Sequence, residues 1–510
     1  MNDSTIRAEW NSRLGFILAA IGSAIGLGNI WRFSYMAFQH GGGAFLVPYV
    51  VAIFIAGIPL MILEYAVGHR EKGSSPLAFA RISQRWEWLG WWMPIIAMFG
   101  IMLYYSVVIS WCVNYLFFSF DLAWGNNSQD FFFNRFLQLS GSPLEVAGIR
   151  FPIAIGAFFV WLACWATCYR EVNHGIEKAC MVFMPLLFIL TMILVGWTVQ
   201  LDGAWEAIRN WYLKPQWDQI NFITNPEAAE VWISAFGQIF FTLSLGFGIM
   251  IAYASYLPEK TDIPGSAYWT VGINCSYSFI AGFAVFGIVG FMASKTGLPF
   301  SEVIKSGPQL AFVVYPEAIS QLPFGQNTFG VLFFLVLVLA GLSSGVSLIE
   351  AFTCSLVDKF GFSRKKSVTF ICVLGFFGSL IFTTRAGLFI LDITDHYVTN
   401  FGLVIAGLLE CIIVGWILKA SVARSHVNNA GGRHVSVLWD ICIKYITPLF
   451  LLIIIVSSMV GEVREAYGGY EIIHLIIFGL SWIIIPIFVG IILSRFKWSS
   501  NLKRSSQSVI

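Results

Sequence analysis

Long apolar runs recur along the whole sequence, and they constrain its fold more than any other feature. Each run approaches or exceeds the roughly 20 apolar residues that a helix needs to cross a bilayer. Hydrophobic residues make up 57% of the 510 positions and charged residues only 11%, which is far from the composition of a soluble domain. The sequence therefore predicts an all-α polytopic membrane protein. The predicted transmembrane helices, α1 to α12, cover residues 13–37, 42–68, 89–119, 151–169, 178–200, 230–257, 266–294, 327–356, 366–384, 388–418, 435–460 and 470–495.

Lys and Arg are concentrated in the segments on one side of this arrangement, which includes both chain ends. Since positive loops stay inside, both termini are expected to be cytoplasmic. The long segments 120–150, 201–229 and 295–326 then lie outside, where we expect them to cap an entrance. The balance of 30 Lys and Arg against 28 Asp and Glu gives no basic footprint, so we expect no nucleic-acid partner.

Two helices carry clusters of glycine and small polar residues inside an apolar run: GSAIGLGNIWRF at 22–33 in α1 and FFTLSLGFG at 240–248 in α6. These helices open two successive five-helix blocks, about 13–200 and 230–418, of opposite orientation. Interrupted helices at matching positions of inverted repeats indicate a binding site at the middle of the membrane. The alternative is that the glycines only allow close helix packing. We expect 1–510 to form a single transporter domain, with α11 and α12, about 435–495, at its periphery.

An interrupted helix leaves backbone groups without helical partners, and in a membrane these groups need others. The freed carbonyls suit a dehydrated Na⁺. The N–H groups at the start of a half-helix suit an anionic group such as a carboxylate.

Five motifs in this order resemble the neurotransmitter:sodium symporter family, in which the inverted-repeat architecture is well known. They are GSAIGLGNIWRF, GGGAFLVPY (41–49), GIPLMILEYAVG (57–68), GQIFFTLSLGFG (237–248) and AGLSSG (340–345). The resemblance implies a LeuT-type fold, named after the leucine transporter, with 12 transmembrane helices, a 5+5 inverted repeat and broken α1 and α6. The short termini resemble those of the bacterial amino-acid transporters of the family. This resemblance implies a location in the plasma membrane, which in a bacterium is the inner membrane.

The resemblance also implies two sodium sites. The first would use the Ala24 carbonyl, the side chains of Asn29, Thr242 and Asn274, and the carboxylate of the substrate. The second would use the carbonyls of Gly22, Ile25 and Ala340 and the hydroxyls of Ser343 and Ser344. Neutral oxygens are suitable ligands for a monovalent cation that must also leave. The alternative for the two serines is that they only bond back to their own helix.

The substrate pocket implied by the family lies between α1, α3, α6 and α8. Its residues would be Ser23, Ala24, Gly26, Leu27, Gly28, Ile101, Tyr105, Phe241, Thr242, Ser244, Phe247, Ser344 and Leu348. Monoamine transporters of the family carry an aspartate at the position of Gly26, so a ligand here should bring its own carboxylate. The apolar lining from Ile101, Phe247 and Leu348 favours a neutral, hydrophobic amino acid.

The family's gates have counterparts on both sides of this pocket. Arg32 and Asp395 match the outer ion pair, and Arg7 and Asp358, with Trp10, match the inner one. Charged residues along a membrane pathway are functional by default, although an isolated Arg at a helix end can also be an interfacial anchor.

A chloride site is a further expectation. Bacterial members that work without chloride carry a carboxylate on α7 where this chain has Ser278, and animal members that need chloride have Ser there. The implied chloride contacts are Tyr49, Gln238, Thr242, Asn274 and Ser278. Since a buried cation without nearby negative charge is costly, we expect Cl⁻ to supply that charge. The alternative is that Glu64 or another acid does so.

The resulting functional hypothesis is a sodium-coupled symporter that imports a neutral L-amino acid by alternating access. The alternatives are a transporter of a GABA-like or betaine-like osmolyte and an amino-acid sensor that does not transport. The expected partners are the small-molecule substrate and membrane lipid, a monomer should suffice for transport, and a dimer is left open. Enzyme activity is not expected, because the seven histidines form no cluster with a nucleophile or a metal-ligand spacing.

Overall fold

The computed structural model describes residues 9–499, and over this range the chain is helical, with only isolated β-bridges. The helices follow the predicted runs closely. Their observed bounds are Arg13–Ala24 and Trp31–Gln39 for α1, Gly43–Glu71 for α2, Gln84–Phe118 for α3, Phe151–Cys168 for α4, Ile176–Thr198 for α5, Ala228–Thr242 and Ile249–Ala254 for α6, Ile263–Thr296 for α7, Gln326–Phe360 for α8, Arg364–Thr383 for α9, Gly387–Ile417 for α10, Val437–Gly469 for α11 and Ile472–Arg495 for α12.

Within residues 9–499, 10 helices are each long and apolar enough to cross a membrane, and α1 qualifies as a bent pair. The two halves of α6 have 15 and 6 residues and do not qualify by length. The number of 12 spans is therefore not confirmed, although both predicted interruptions are present.

The interrupted helices lie inside the bundle. The first half of α1 packs against α5, α7 and α8, and both halves of α6 pack against α2. In the most apolar stretch of α3, 89% of the residues are buried, against 22% in α11 and 33% in α12. The last two helices therefore lie at the edge of the bundle, packed on α10 and α3 respectively.

Trp10 precedes α1 and Arg32 lies in its second half, so the two residues mark opposite ends of the bundle. We call these the Trp10 end and the Arg32 end. The connections at the Arg32 end contain short helices, including Ala204–Ala207, Phe300–Val303 and Tyr315–Ser320. The Trp10 end carries the short helices Ser75–Ile82 and Ala420–Ala430.

Candidate functional site

The interruption of α1 consists of two residues with extended backbone. Ile25 has φ −77° and ψ 105°, Gly26 has φ −125° and ψ −169°, and the two parts of the helix differ in direction by 71°. A Cβ on Gly26 would lie 3.0 Å from the Tyr105 hydroxyl and 3.2 Å from Ser344 Oγ. Any larger side chain at this position would therefore press on two neighbouring helices.

The interruption of α6 is a turn that requires left-handed backbone. Ser244, Gly246 and Gly248 have φ of 54°, 80° and 72°, a region that glycine adopts readily and other residues seldom do. The N–H of Gly246 donates to Glu64 Oε1 at 2.7 Å, and Glu64 is completely buried in α2. This carboxyl group thus satisfies a backbone donor that the interruption sets free.

Three oxygens meet at the Asn29 amide beside the α1 interruption. Asn29 Nδ2 lies 3.0 Å from Thr242 Oγ1 and 2.9 Å from both Asn274 Oδ1 and Ser278 Oγ, and all four residues are buried. An amide nitrogen carries only two protons, so Asn29 cannot serve all three oxygens at once. Asn29 Oδ1 accepts from the Gly26 N–H at 2.9 Å, and Asn274 Nδ2 donates to Thr242 Oγ1 at 3.3 Å. The structure thus brings together the three side chains predicted for the first sodium site, and their neutral oxygens are of the kind that suits a monovalent cation.

A second group of oxygens surrounds Ser344 on α8. Its Oγ lies 3.4 Å from the Gly22 carbonyl, 3.2 Å from that of Ser23 and 3.1 Å from that of Ile25. One hydroxyl proton serves only one of these carbonyls at a time, so this position also has a surplus of acceptors. Gly22, Ile25 and Ser344 therefore lie together as predicted for the second sodium site.

The neighbouring serine behaves differently. Ser343 Oγ donates to the carbonyl of Ala340, in its own helix, at 3.0 Å. Ser343 therefore bonds back to its own helix, which is the alternative given above for both serines. Ser344 instead reaches across to α1.

The predicted chloride residues contain polar atoms that lack partners. Tyr49 and Gln238 are buried, and neither the Tyr49 hydroxyl nor either end of the Gln238 amide makes a hydrogen bond within the described part of the chain. Tyr49 lies beside Ser278 and the Cys275 thiol. Burying such groups unpaired is unfavourable, and hydroxyl and amide N–H groups are the donors that an anion requires.

All residues predicted to bind the substrate line one cavity of about 340 Å³. It runs from Gly26 to Arg32 and Asp395, and residues 306–308 reach it from a connection at the Arg32 end. Residues that sequence reasoning did not single out also line it, among them Val108, Ile249 and His396. The first two only continue an apolar lining, so no sequence signal distinguished them from other core residues.

A short turn of 3-10 helix, Leu27–Asn29, precedes the second half of α1. Its first N–H, that of Leu27, donates to the Tyr105 hydroxyl at 3.4 Å, and both residues line the cavity. This N–H and the hydroxyl proton of Tyr105 are together suited to one carboxylate.

The predicted outer gate is not closed. Within residues 9–499 no ion pair joins Arg32 to Asp395; the guanidinium carbon of Arg32 lies 4.7 Å from the centre of the Phe241 ring, and Asp395 Oδ1 accepts a hydrogen bond of 2.5 Å from Tyr104. The cavity therefore continues past the gate residues. Tyr104 adjoins the predicted Tyr105, and its role at the gate was not foreseen.

The Trp10 end is packed closed. Trp10 is 5% exposed, its ring nitrogen donates to the Tyr253 carbonyl at 2.8 Å, and its backbone N–H donates to the Tyr256 carbonyl. Asp358 accepts from the N–H of Ser74 at 2.7 Å. The predicted partner Arg7 lies outside the described residues.

The family model for the sodium:neurotransmitter symporter family matches residues 7–130 and 125–498 of this chain. The chain belongs to that family. It is 43% identical, over 96% of its length and 98% of the other chain, to an uncharacterized sodium-dependent transporter of Methanocaldococcus jannaschii. It is also similar to the sodium-dependent dopamine transporter of Caenorhabditis elegans, with 29% identity, and to the sodium- and chloride-dependent GABA transporter 2 of Mus musculus, with 30% identity; both matches cover 91% of this chain and 82% of the relative.

Membership confirms the predicted LeuT-type fold, and the interruptions of α1 and α6 are its structural signature. The chain is a multi-pass, sodium-dependent transporter of this family and not an enzyme. Among residues 9–499 no group of three or more His, Cys, Asp or Glu side chains could hold a metal ion.

Proposed function

We propose that this transporter imports a neutral, hydrophobic amino acid together with Na⁺ by alternating access. The observation that carries the proposal is the distribution of charge along the cavity. Asp395 is the only acidic residue that lines it within the described chain, and Asp395 lies at the Arg32 end, away from Gly26. An amine without a carboxylate would find no anion beside Gly26, whereas a zwitterion brings one.

The substrate and Na⁺ would bind together for a simple reason. A carboxylate held by the Leu27 N–H and the Tyr105 hydroxyl would lie beside the oxygens around Asn29 and complete the first sodium site. Each ligand then raises the affinity for the other by the same factor. The oxygens around Ser344 would form a second site, which ties the first half of α1 to α8.

The direction of transport follows from the charge of the segments. We propose that the Trp10 end, with both termini, is cytoplasmic and that the Arg32 end faces outside. Each Na⁺ entering down about 100 mV supplies about 2.3 kcal/mol. Two ions would supply about 4.6 kcal/mol, which is about a thousandfold accumulation of a zwitterion at tight coupling.

The test is uptake into proteoliposomes with each of the twenty amino acids, with and without an inward Na⁺ gradient. We expect concentrative uptake of apolar amino acids that disappears without the gradient. A preference for GABA or betaine, a function favoured by the GABA transporter among the relatives, would refute the proposed substrate class. Sodium-dependent binding without uptake would indicate a sensor.

We further propose that Cl⁻ binds between Tyr49, Gln238 and Ser278, with Thr242 and Asn274 adjacent. The unpaired hydroxyl and amide of Tyr49 and Gln238 support this site. The rival is charge compensation by Glu64, whose Oε1 accepts from the Gly246 N–H. Replacing Cl⁻ by gluconate should slow uptake, and Ser278→Glu should remove the requirement. Equal uptake in the two salts would disprove chloride binding.

A further inference from the structure

A histidine adjoins the outer gate, outside both proposed sodium sites. His396 follows Asp395 on α10, and its Nε2 lies 2.6 Å from Glu462 Oε1 on α11. Its ring stacks on that of Tyr467, with centroids 3.6 Å apart and planes at 14°. The Tyr467 hydroxyl in turn donates to Asp392 at 3.0 Å. His396 is thus held firmly in one wall of the cavity.

This histidine faces the same cavity as the gate. His396, Tyr467, Arg32 and Asp395 all line it, and the side chain of His396 is 17% exposed. A proton from the solution at the Arg32 end therefore reaches the ring without crossing the bundle.

The hydrogen bonds around the ring define a neutral state and a charged one. Asn400 Nδ2 lies 3.1 Å from His396 Nδ1, so in the neutral ring Nδ1 accepts from Asn400 while the Nε2 hydrogen donates to Glu462. A second proton on Nδ1 would point at the Asn400 amide, which must then turn to present its oxygen. The bond to Glu462 survives in both states, so the ring gains charge without leaving its position.

The charges around this ring are mostly negative. The groups in this wall and facing it are Asp392, Asp395 and Tyr397 of α10, Glu462 and Tyr467 of α11, Tyr470 between α11 and α12, Tyr104 of α3 and Arg32 of α1. Arg32 is the one permanent cation of this group, and it lies within electrostatic range of Asp395, Tyr104 and Tyr467. A positive charge on His396 weakens the attraction of this wall for Arg32, whichever carboxylate the guanidinium approaches.

We propose that His396 is a positioning residue for the outer gate: protonation of its ring from the Arg32 end holds Arg32 away from Asp395 and slows closure of the cavity. Closure requires the Arg32 guanidinium to leave Phe241 and approach a wall in which His396 is adjacent to Asp395. The neutral ring permits this movement and the charged ring opposes it. This inference rests on the transport cycle proposed above.

The first test is the pH profile of uptake into proteoliposomes at constant internal pH, with the amino acid that gives the largest sodium-dependent uptake. Lowering external pH from about 8 to about 5.5, the range in which histidine titrates, should reduce the maximal rate more than it changes KM. We expect a fall of about twofold to fivefold, as for one partly exposed charge pair. His396→Gln retains an N–H donor for Glu462 and cannot be charged, so its rate should stay flat and close to that of the wild type at alkaline pH.

His474→Gln is the matched control, since His474 begins α12 at the same end of the bundle, and this variant should keep the wild-type profile. A His396→Gln profile as steep as that of the wild type, or a flat wild-type profile, would overturn the role of His396.

A second measurement does not require transport. Val108 lines the cavity, and a polar thiol reagent added from outside should label Val108→Cys whenever the gate is open. The labelling rate of V108C divided by that of V108C/H396Q should be higher at acidic than at alkaline pH, because only V108C keeps the histidine that holds the gate open. The ratio also cancels the pH dependence of the thiol itself. An equal ratio at both pH values would refute the gate role even if uptake failed. Failure of uptake with a changing ratio would refute only the transport proposal.

Discussion

Removing one hydroxyl tests whether the oxygens around Ser344 bind Na⁺. In Ser344→Ala the carbonyls of Gly22, Ser23 and Ile25 lose the hydroxyl that α8 presents to them, and the Ser23 carbonyl keeps a bond of 3.2 Å from Ser244 Oγ. If a cation binds here, the variant has one ligand fewer. If the hydroxyl only joins α8 to α1, the variant loses a single neutral hydrogen bond and its sodium dependence stays unchanged.

The expected magnitude follows from the difference between those two roles. A contact to a charged group contributes about 1.5–3 kcal/mol, against about 1 kcal/mol for a neutral hydrogen bond. Loss of the charged contact should raise the sodium concentration for half-maximal uptake by about tenfold to 150-fold. The maximal rate at saturating Na⁺ should change less.

The assay is initial uptake as a function of external Na⁺ at fixed ionic strength. Ser355→Ala is the matched control, because Ser355 is buried in the same helix and, among residues 9–499, bonds only to the carbonyl of Ala351 at 2.8 Å. It should leave the sodium dependence unchanged. Ser343→Ala tests whether the second hydroxyl turns from Ala340 towards the ion. An unchanged half-maximal Na⁺ concentration in Ser344→Ala, with uptake intact, would refute the second sodium site.

Two further predictions concern the residues that hold the bundle together. Glu64→Ala leaves the Gly246 N–H buried without a partner, which should destabilise the protein by about 1–3 kcal/mol and lower its unfolding temperature in detergent. Glu64→Gln keeps an acceptor and should lose less stability. Equal unfolding temperatures for the wild type and both variants would contradict this. Burial alone would raise the pKa of Asp262, but the N–H groups of Arg433 and Gly265 and the guanidinium of Arg13 hold that pKa below its ordinary value. Its contribution to stability is therefore present above the unfolded-state pKa and lost as pH falls through the folded-state pKa. The free energy of unfolding should therefore fall more steeply with decreasing pH in the wild type than in Asp262→Asn. Parallel curves for the two proteins would count against the assignment.

Local composition was enough to predict the helices and both interruptions. Apolar runs have few alternatives in a membrane, and the glycines at 26, 246 and 248 occupy positions where the backbone is extended or left-handed. The residues around the cavity were predictable only through the family motifs, since α1, α3, α6 and α8 contribute to it from distant parts of the chain.

The contacts between neighbouring polar groups were not predictable. Glu64 was considered only as a source of charge, and its bond to Gly246 depends on how α2 packs against α6. The contacts of His396 depend in the same way on α11 and the residues after it. Side chains that act across a helix interface leave no periodic signal in one sequence.

The continuity of the cavity from Gly26 to Arg32 has a pharmacological consequence. A compound built on an amino-acid head, with a rigid tail long enough to reach Phe241 and Arg32, would occupy the cavity from Gly26 to the gate at once. Its head would compete with the substrate, while its tail would stand where the guanidinium must move. Such a molecule would bind without being transported. Its inhibitory potency would increase with tail length only until the tail extended past the gate.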